Sequence, residues 1–275
     1  MSEAPTLKGV NVLIEAPTGS GKTHCLGTIA DAGYELFVLF TENGLETLVG
    51  YWKDRGLPVP PNVHWNEMKP VKGSFAQLAD DAQKVNTITL DSWAKMTDPN
   101  RGKHNQFEVL LRLFCDFEDQ RTGKRFGPVD QWGADRVLAV DSLTGLSFYA
   151  MALVIGGKPV RSQPEWGAAQ DQLERFLRQC CDGTNCHFVL TSHVEKELNP
   201  VTGGMTITVS TLGRALAPKL PPMFSDVIKA YRAGNEFFWD TADTNYDLKT
   251  RNLPRDSKIK PDFKQIFDTW KKRNS

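Results

Sequence analysis

The sequence predicts an α/β protein with a mainly parallel central sheet flanked by helices and antiparallel hairpins in its C-terminal third. Three observations lead there. Short, continuous apolar runs alternate with helix-period segments through the first half, the pattern of strands covered on both faces. The first such run, VLIE, passes straight into a Gly-rich turn and then a helix-like stretch. Between residues 187 and 243 two strand pairs follow, each interrupted by a Gly-containing turn.

In order, residues 10–15 are apolar and β-branched and form the first buried strand. Residues 22–32 read as a helix ending near Gly33, and residues 35–41 as a second buried strand stopped by Asn43-Gly44. Residues 56–61 are a Pro/Gly-rich connection. Residues 85–93, VNTITLDSW, alternate and predict a strand. Residues 107–117 have amphipathic helical spacing, and residues 118–136 are polar and Gly-containing, as a surface loop is. VLAVDS is a continuous apolar strand that delivers Asp141. From 165 to 180, Trp166, Ala169, Leu173, Phe176, Leu177 and Cys180 recur at helical spacing. HFVLTSH is a further strand. It runs into a hairpin turning at residues 200–204, and a second hairpin over residues 226–243 turns at Ala233-Gly234-Asn235.

Hydrophobic residues make up 40% of the 275 and charged residues 24%, the balance of an ordinary soluble globular chain. The formal net charge is zero, so any affinity for nucleic acid must come from a local patch. Five cysteines with no CxxC pair argue against a disulfide framework and a zinc site, and fit a reducing cytoplasm. The start of the sequence has no apolar signal core, and no run is long enough to span a bilayer.

The stretch APTGSGKTH suits a polyphosphate better than a core. It matches the phosphate-loop pattern G-x-x-x-x-G-K-[ST], with Ala16 in place of the first glycine. Pro17, Thr18, Gly19, Ser20, Gly21, Lys22, Thr23 and His24 are the candidate nucleotide-binding residues, and backbone N–H groups from Thr18 to Thr23 can converge on the β-phosphate, aided by the helix start behind them. Lys22 is the candidate for the β- and γ-phosphates, and the Thr23 hydroxyl for Mg²⁺. Asp141, at the carboxyl end of an apolar strand, is the second candidate metal residue, although an aspartate there could also cap the next helix. Glu42 directly follows the second strand, where a carboxylate can orient or deprotonate an attacking water; a solvated turn glutamate is the alternative. Thr191, Ser192 and His193 end another strand. His193 is either a γ-phosphate sensor or a hydrogen-bonded structural histidine.

APTGSGKT, TENG, VLAVDSLTGL and VLTSHVEKE stand in the order found in RecA-type ATPase cores, and VDSLT resembles their metal-binding strand. LGRALAPKLPPMFSDVIKAY and TRNLP resemble a phage group of RecA-like P-loop ATPases that includes Sak-type single-strand annealing proteins. The likeness spans most of residues 9–255. It implies a RecA-like P-loop NTPase core over residues 1–255, and it does not account for an insertion or surface loop at 100–135 or for the basic helix or tail at 256–275. It further implies Mg²⁺-dependent ATP hydrolysis, self-association into rings or filaments, and action on single-stranded DNA in recombination or annealing in the host cytoplasm, with a single-strand-binding protein as a further partner. In such assemblies a neighbour supplies a cation to the γ-phosphate. Arg214, Lys219 and Arg232 are the candidates, each of which is otherwise a solvated charge. The alternatives are a helicase or packaging motor, or a regulatory protein whose assembly ATP controls. A base reader of the Asn-Lys-x-Asp kind and an arginine-rich kinase lid are absent, which favours ATP and disfavours a small-molecule kinase.

Residues 249–275 hold nine lysines and arginines against three aspartates. Phe263, Phe267 and Trp270 are interleaved with the lysines, the ingredients of single-strand binding. With Ile266 they also form one helical stripe, which favours a helix docked on the core. Three further stretches are candidate DNA loops: the region after Ser142, the turn at 200–204, and residues 156–167 with Lys158 and Arg161.

Overall fold

The computed structural model describes residues 7–68, 74–87, 89–95, 101–156, 161–198 and 205–275. A seven-stranded sheet organises them, in the order β3-β2-β4-β5-β1-β8-β9. Its strands are β1 (Asn11–Glu15), β2 (Glu35–Phe40), β3 (Val63–Glu67), β4 (Arg136–Asp141), β5 (His187–Ser192), β8 (Asp226–Ala233) and β9 (Glu236–Asp240). All neighbours are parallel except β8 and β9, which form an antiparallel pair at one edge. Two further strands, β6 (Val194–Leu198) and β7 (Met205–Val209), make a separate antiparallel pair; the turn expected between them lies outside the described residues.

The central strands are buried almost end to end, because helices cover both faces of the sheet. On one face, α6 (Gln106–Cys115), α7 (Leu143–Ile155) and α8 (Gln163–Asp182) pack over Leu13, Leu39, Val140 and Leu190. On the other, α1 (Lys22–Cys25), α2 (Gly27–Asp31), α3 (Leu45–Lys53) and α10 (Lys264–Asn274) pack over Val12, Ile14, Val38 and Val189. Alternate residues of one strand thus enter opposite cores, as the period of two requires. A short helix, α9 (Gly213–Leu216), links β7 to the approach to β8.

Several expectations need correction. Residues 85–93 are not a strand: α4 (Phe75–Thr87) and α5 (Leu90–Lys95) occupy this part of the chain. Leu78, Ala82 and Val85 recur at helical spacing upstream, and that longer period outweighs the local β-branched alternation. The helix expected over 22–32 is broken at Leu26, whose N–H bonds Thr23 O at 3.2 Å. Residues 118–136 do form a largely exposed loop, but one that is anchored to the core. Asp119 is fully buried, accepts from Trp65 N and Arg121 N, and lies 3.2 Å from His64 Nδ1, while Phe117, Val129 and Trp132 join the core.

Helix enters two of the proposed DNA loops. Helix α7 starts at Leu143, so no loop follows Ser142. Helix α8 starts at Gln163, where Ser162 and Glu165 form a reciprocal cap with Ser162 N to Glu165 Oε2 at 2.7 Å. Residues 157–160, with Lys158, lie outside the described set. The apolar stripe of α10 docks on the core: Phe263, Ile266 and Phe267 are buried, and Phe267 stacks on Tyr34 at 4.2 Å. No helix among the described residues is long and apolar enough to cross a membrane.

Candidate functional site

The parallel strands bring their carboxyl ends to one edge, and the chain motifs meet there. After Glu15 the chain leaves β1, and Ala16 N bonds Ser192 O at 3.0 Å, anchoring the loop to the end of β5. Gly19 and Gly21 adopt left-handed conformations, φ 75° and 84°, which an L side chain resists. At Gly21 a Cβ would also lie 2.7 Å from the Phe237 ring. The loop closes on itself through Ser20 Oγ to Pro17 O at 2.6 Å.

Lys22 is nearly buried. Its ammonium donates to Ala16 O and Pro17 O, both at 2.8 Å. Burial lowers its pKa, opposed by the negative charges of Asp141 and Glu42. Thr23 Oγ1 donates to Asp141 Oδ2 at 2.6 Å, and Thr191 Oγ1 donates to Asp141 Oδ1. Asp141 therefore links the phosphate-loop helix to β4 and β5. Burial raises its pKa, against the pull of Thr191, Thr23 and Lys22. A divalent cation would add to the positive charge that Lys22 brings to this buried carboxylate.

The donor set, one hydroxyl and one carboxylate, is the all-oxygen kind that suits a hard divalent ion. The buried hydroxyls of Ser142 and Thr144, just beyond Asp141, have no hydrogen-bond partner among the described residues. Ser142 stands close enough to Glu42 to favour its charged form without closing a well-formed hydrogen bond. The peptide between Asp141 and Ser142 is cis. Thr41 holds this corner, donating to Ser142 O at 2.7 Å and accepting from Ser142 N at 2.9 Å. Gly44 and Gly145 leave the space needed: a Cβ on Gly44 would come 2.8 Å from Asp141 Oδ2, and one on Gly145 would strike Thr41.

Glu42 and His193 come together across the strand ends, with His193 Nε2 3.4 Å from Glu42 Oε2. His193 Nδ1 lies 3.5 Å from the Lys22 ammonium. The ammonium can only donate, so Nδ1 accepts and Nε2 carries the proton toward Glu42. His193, with Ser142 and Lys22, keeps the pKa of Glu42 below the usual range, so it is ionised at neutral pH. Lys22, Thr23, Asp141, Glu42 and His193 thus form one cluster, assembled from the ends of β1, β2, β4 and β5.

The other sequence candidates lie elsewhere or in different company. His24 packs edge-on against Tyr51 at 4.9 Å and tilted against Phe237 at 5.5 Å. Arg214 is exposed on α9. Lys219 is exposed and donates to Glu174 Oε2 of α8 at 2.8 Å, and Arg232 donates to Gly234 O at 2.8 Å. Phe237 over the phosphate loop was missed, and so were Tyr51 beside it and Thr41. Only Thr41 carried a signal, as the residue at the strand end before Glu42; the two aromatics read as ordinary strand and helix residues.

The architecture is a mainly parallel sheet between helical layers, with antiparallel strands late in the chain, and is consistent with the expected P-loop NTPase-like α/β core. Among solved structures, the chain is similar to the flagellar accessory protein FlaH from Methanocaldococcus jannaschii, at 10% identity and a TM-score of 0.36. That alignment covers 93% of this chain and 85% of FlaH. It is also similar to an ATPase from the type III secretion system of pathogenic bacteria, at 14% identity and a TM-score of 0.36, over 82% of this chain and 53% of the ATPase. The likeness is distant, and no role is taken from either protein. Neither a family model nor a curated protein matches the sequence.

Proposed function

We propose that this chain binds ATP with Mg²⁺ at the 16–24 loop and hydrolyses it, and that the nucleotide state governs self-association. The observation that carries this reading is the 2.6 Å contact between Thr23 and Asp141 beneath the Lys22 loop. Hydroxyl, carboxylate and ammonium converge there at the start of a helix, as a magnesium–triphosphate pair requires. Lys22 would exchange its two carbonyl partners for phosphate oxygens. Thr23 and Asp141 would hold the Mg²⁺, which when bound neutralises phosphate charge. Glu42, held ionised by His193, orients the attacking water and accepts its hydrogen bond. His193, touching both Glu42 and Lys22, is positioned to report the γ-phosphate to β6, which begins at the next residue. Arg214, Lys219 or Arg232 of a neighbouring copy would complete the charge at the γ-phosphate; for Lys219 that entails release from Glu174.

Within this reading, a motor on another polymer or an assembly controlled by nucleotide needs only the loop site, whereas phage recombination also needs a DNA surface, and helix enters two of the stretches expected to supply it. The recombination and single-strand annealing reading rests on the sequence motifs alone. One experiment separates them: ATP turnover with and without single-stranded DNA, alongside particle mass. Turnover and a nucleotide-dependent mass that both ignore DNA fit the assembly role. Stimulation by DNA restores the annealing reading, and directional displacement of a strand identifies a motor. Absence of turnover under all conditions contradicts the ATPase.

A further inference from the structure

The nucleotide loop lies at the carboxyl ends of the strands. A groove of about 430 Å³ opens at the opposite edge, where β1 and β8 begin, which is within the size range of small-ligand sites. Met223 and Trp270 give it apolar wall, and Lys8, Arg251 and Arg273 supply positive charge. The Trp270 indole is fixed in that wall by a 2.8 Å bond from Nε1 to Lys8 O.

Among the described residues, none of these cations is held in an ion pair. Lys8 donates to the carbonyl of Asp182, Arg273 to Asn252 Oδ1 at 3.2 Å, and the neighbouring Lys249 to Phe224 O at 2.8 Å, all neutral oxygens. The Arg251 guanidinium has no hydrogen-bond partner among the described residues; only its backbone N–H is engaged. Three carboxylates are near, of which Asp247 acts on Lys249. Asp182 lines the groove, and Asp226 lies beneath it, fully buried. Asp226 accepts from Arg251 N, Asn252 N, Asn252 Nδ2 and the hydroxyls of Ser225 and Thr250. Its oxygens are thus spent on holding the 250–252 turn, which fixes the backbone of Arg251 at the groove. Burial first and the charge of Arg251 second lower the pKa of Lys249, against the opposing charges of Asp226 and Asp247.

We propose that this groove is a second binding site, for a phosphate ester. Arginine forks match phosphate oxygens in pairs, and the ring and thioether surfaces of Trp270 and Met223 suit a sugar or base beside the phosphate. The phosphate could belong to a free nucleotide or to a nucleic-acid strand, since both present this chemistry. The site is independent of the nucleotide reading above.

The test is calorimetric titration of the full chain with inorganic phosphate, thymidine monophosphate and a short oligothymidylate, repeated in Lys22→Ala to remove the loop site. The variants are Arg251→Glu and Arg273→Ala, with Arg112→Glu on the surface of α6 as the control for net charge. Binding of an ester probe that Arg251→Glu weakens roughly tenfold or more, and Arg112→Glu does not, supports the site. Arg273→Ala should weaken it in the same direction. If the oligonucleotide binds and the monophosphate does not, the source is a strand, and losing Arg251 should lower the salt slope by about 0.7. If the monophosphate binds as well as the oligonucleotide, the source is a free ester. Binding by inorganic phosphate alone, binding unchanged in both groove variants, or no binding of any probe overturns the proposal. Lys22→Ala leaves the groove affinity intact whether or not that residue proves to bind ATP.

Discussion

Glu42 and Glu15 are separated by two strands and do opposite things. Glu42 is half exposed and kept charged by His193, so it is proposed to act on water without first losing a proton. Replacing it with Gln keeps the shape and removes the charge; triphosphate binding should persist while turnover falls about a hundredfold or more, read by binding titration beside single-turnover assay. Glu15, at the end of β1, is buried. Burial first, and Asp247 second, push its pKa up to about 8. Between its ordinary pKa near 4.5 and that value, the native state holds a proton that the unfolded chain has released. Stability therefore declines as pH rises through this window, by up to about 5 kcal/mol. Glu15→Gln should raise the urea midpoint at pH 8 and have little effect below pH 4.5; an equal effect at both would remove the protonated carboxyl from consideration.

At the scale of elements, contacts far apart in sequence fix the loop. The edge strand β9 lays Phe237 over Gly21, so the phosphate loop is braced by a residue more than two hundred positions away. Gly21→Ala meets both a positive φ and that ring, and should destabilise the protein by about 1–3 kcal/mol as well as weaken nucleotide binding. Pairing it with Phe237→Ala should relieve the steric part only, which a double-mutant cycle in urea would measure. The C-terminal helix is held by burial: Phe267 is 1% exposed, between Tyr34 and His187. Phe267→Ala should cost about 3–5 kcal/mol by equilibrium unfolding. A loss below about 1 kcal/mol would indicate a helix only loosely attached.

For the whole molecule, acid stability should reflect histidines whose pKa burial lowers, His64 and His24 among them, and most of all His187 at the foot of the sheet. His187 is buried, accepts Val10 N–H at Nδ1, and has its pKa lowered to about 4 by burial. The unfolded chain takes up its proton near pH 6.5 and the native state only near 4. This contribution is complete above pH 6.5 and is lost as pH falls toward 4, up to about 3 kcal/mol. His187→Gln should flatten the pH dependence of the unfolding midpoint across that window.

How much could be read in advance follows from the range of the interactions. The phosphate loop, the VLAVDS strand and Glu42 are local patterns of a few residues, so sequence alone located them. The β8–β9 turn at Gly234 was legible for the same reason. The brace by Phe237, the Asp119–His64 contact and the groove at the 250–252 turn join residues distant in the chain, and nothing local announces them. Residues 85–93 were misread because a nine-residue alternation was weighed without the helical period that precedes it.

The most direct test is titration of a slowly hydrolysed ATP analogue into the wild type and Lys22→Ala, with and without Mg²⁺. The wild type should bind in a Mg²⁺-dependent manner, and Lys22→Ala should lose at least about 2.7 kcal/mol, a factor of about one hundred. Equal affinity in the two proteins, or wild-type binding indifferent to Mg²⁺, would contradict a triphosphate held between Lys22 and Asp141.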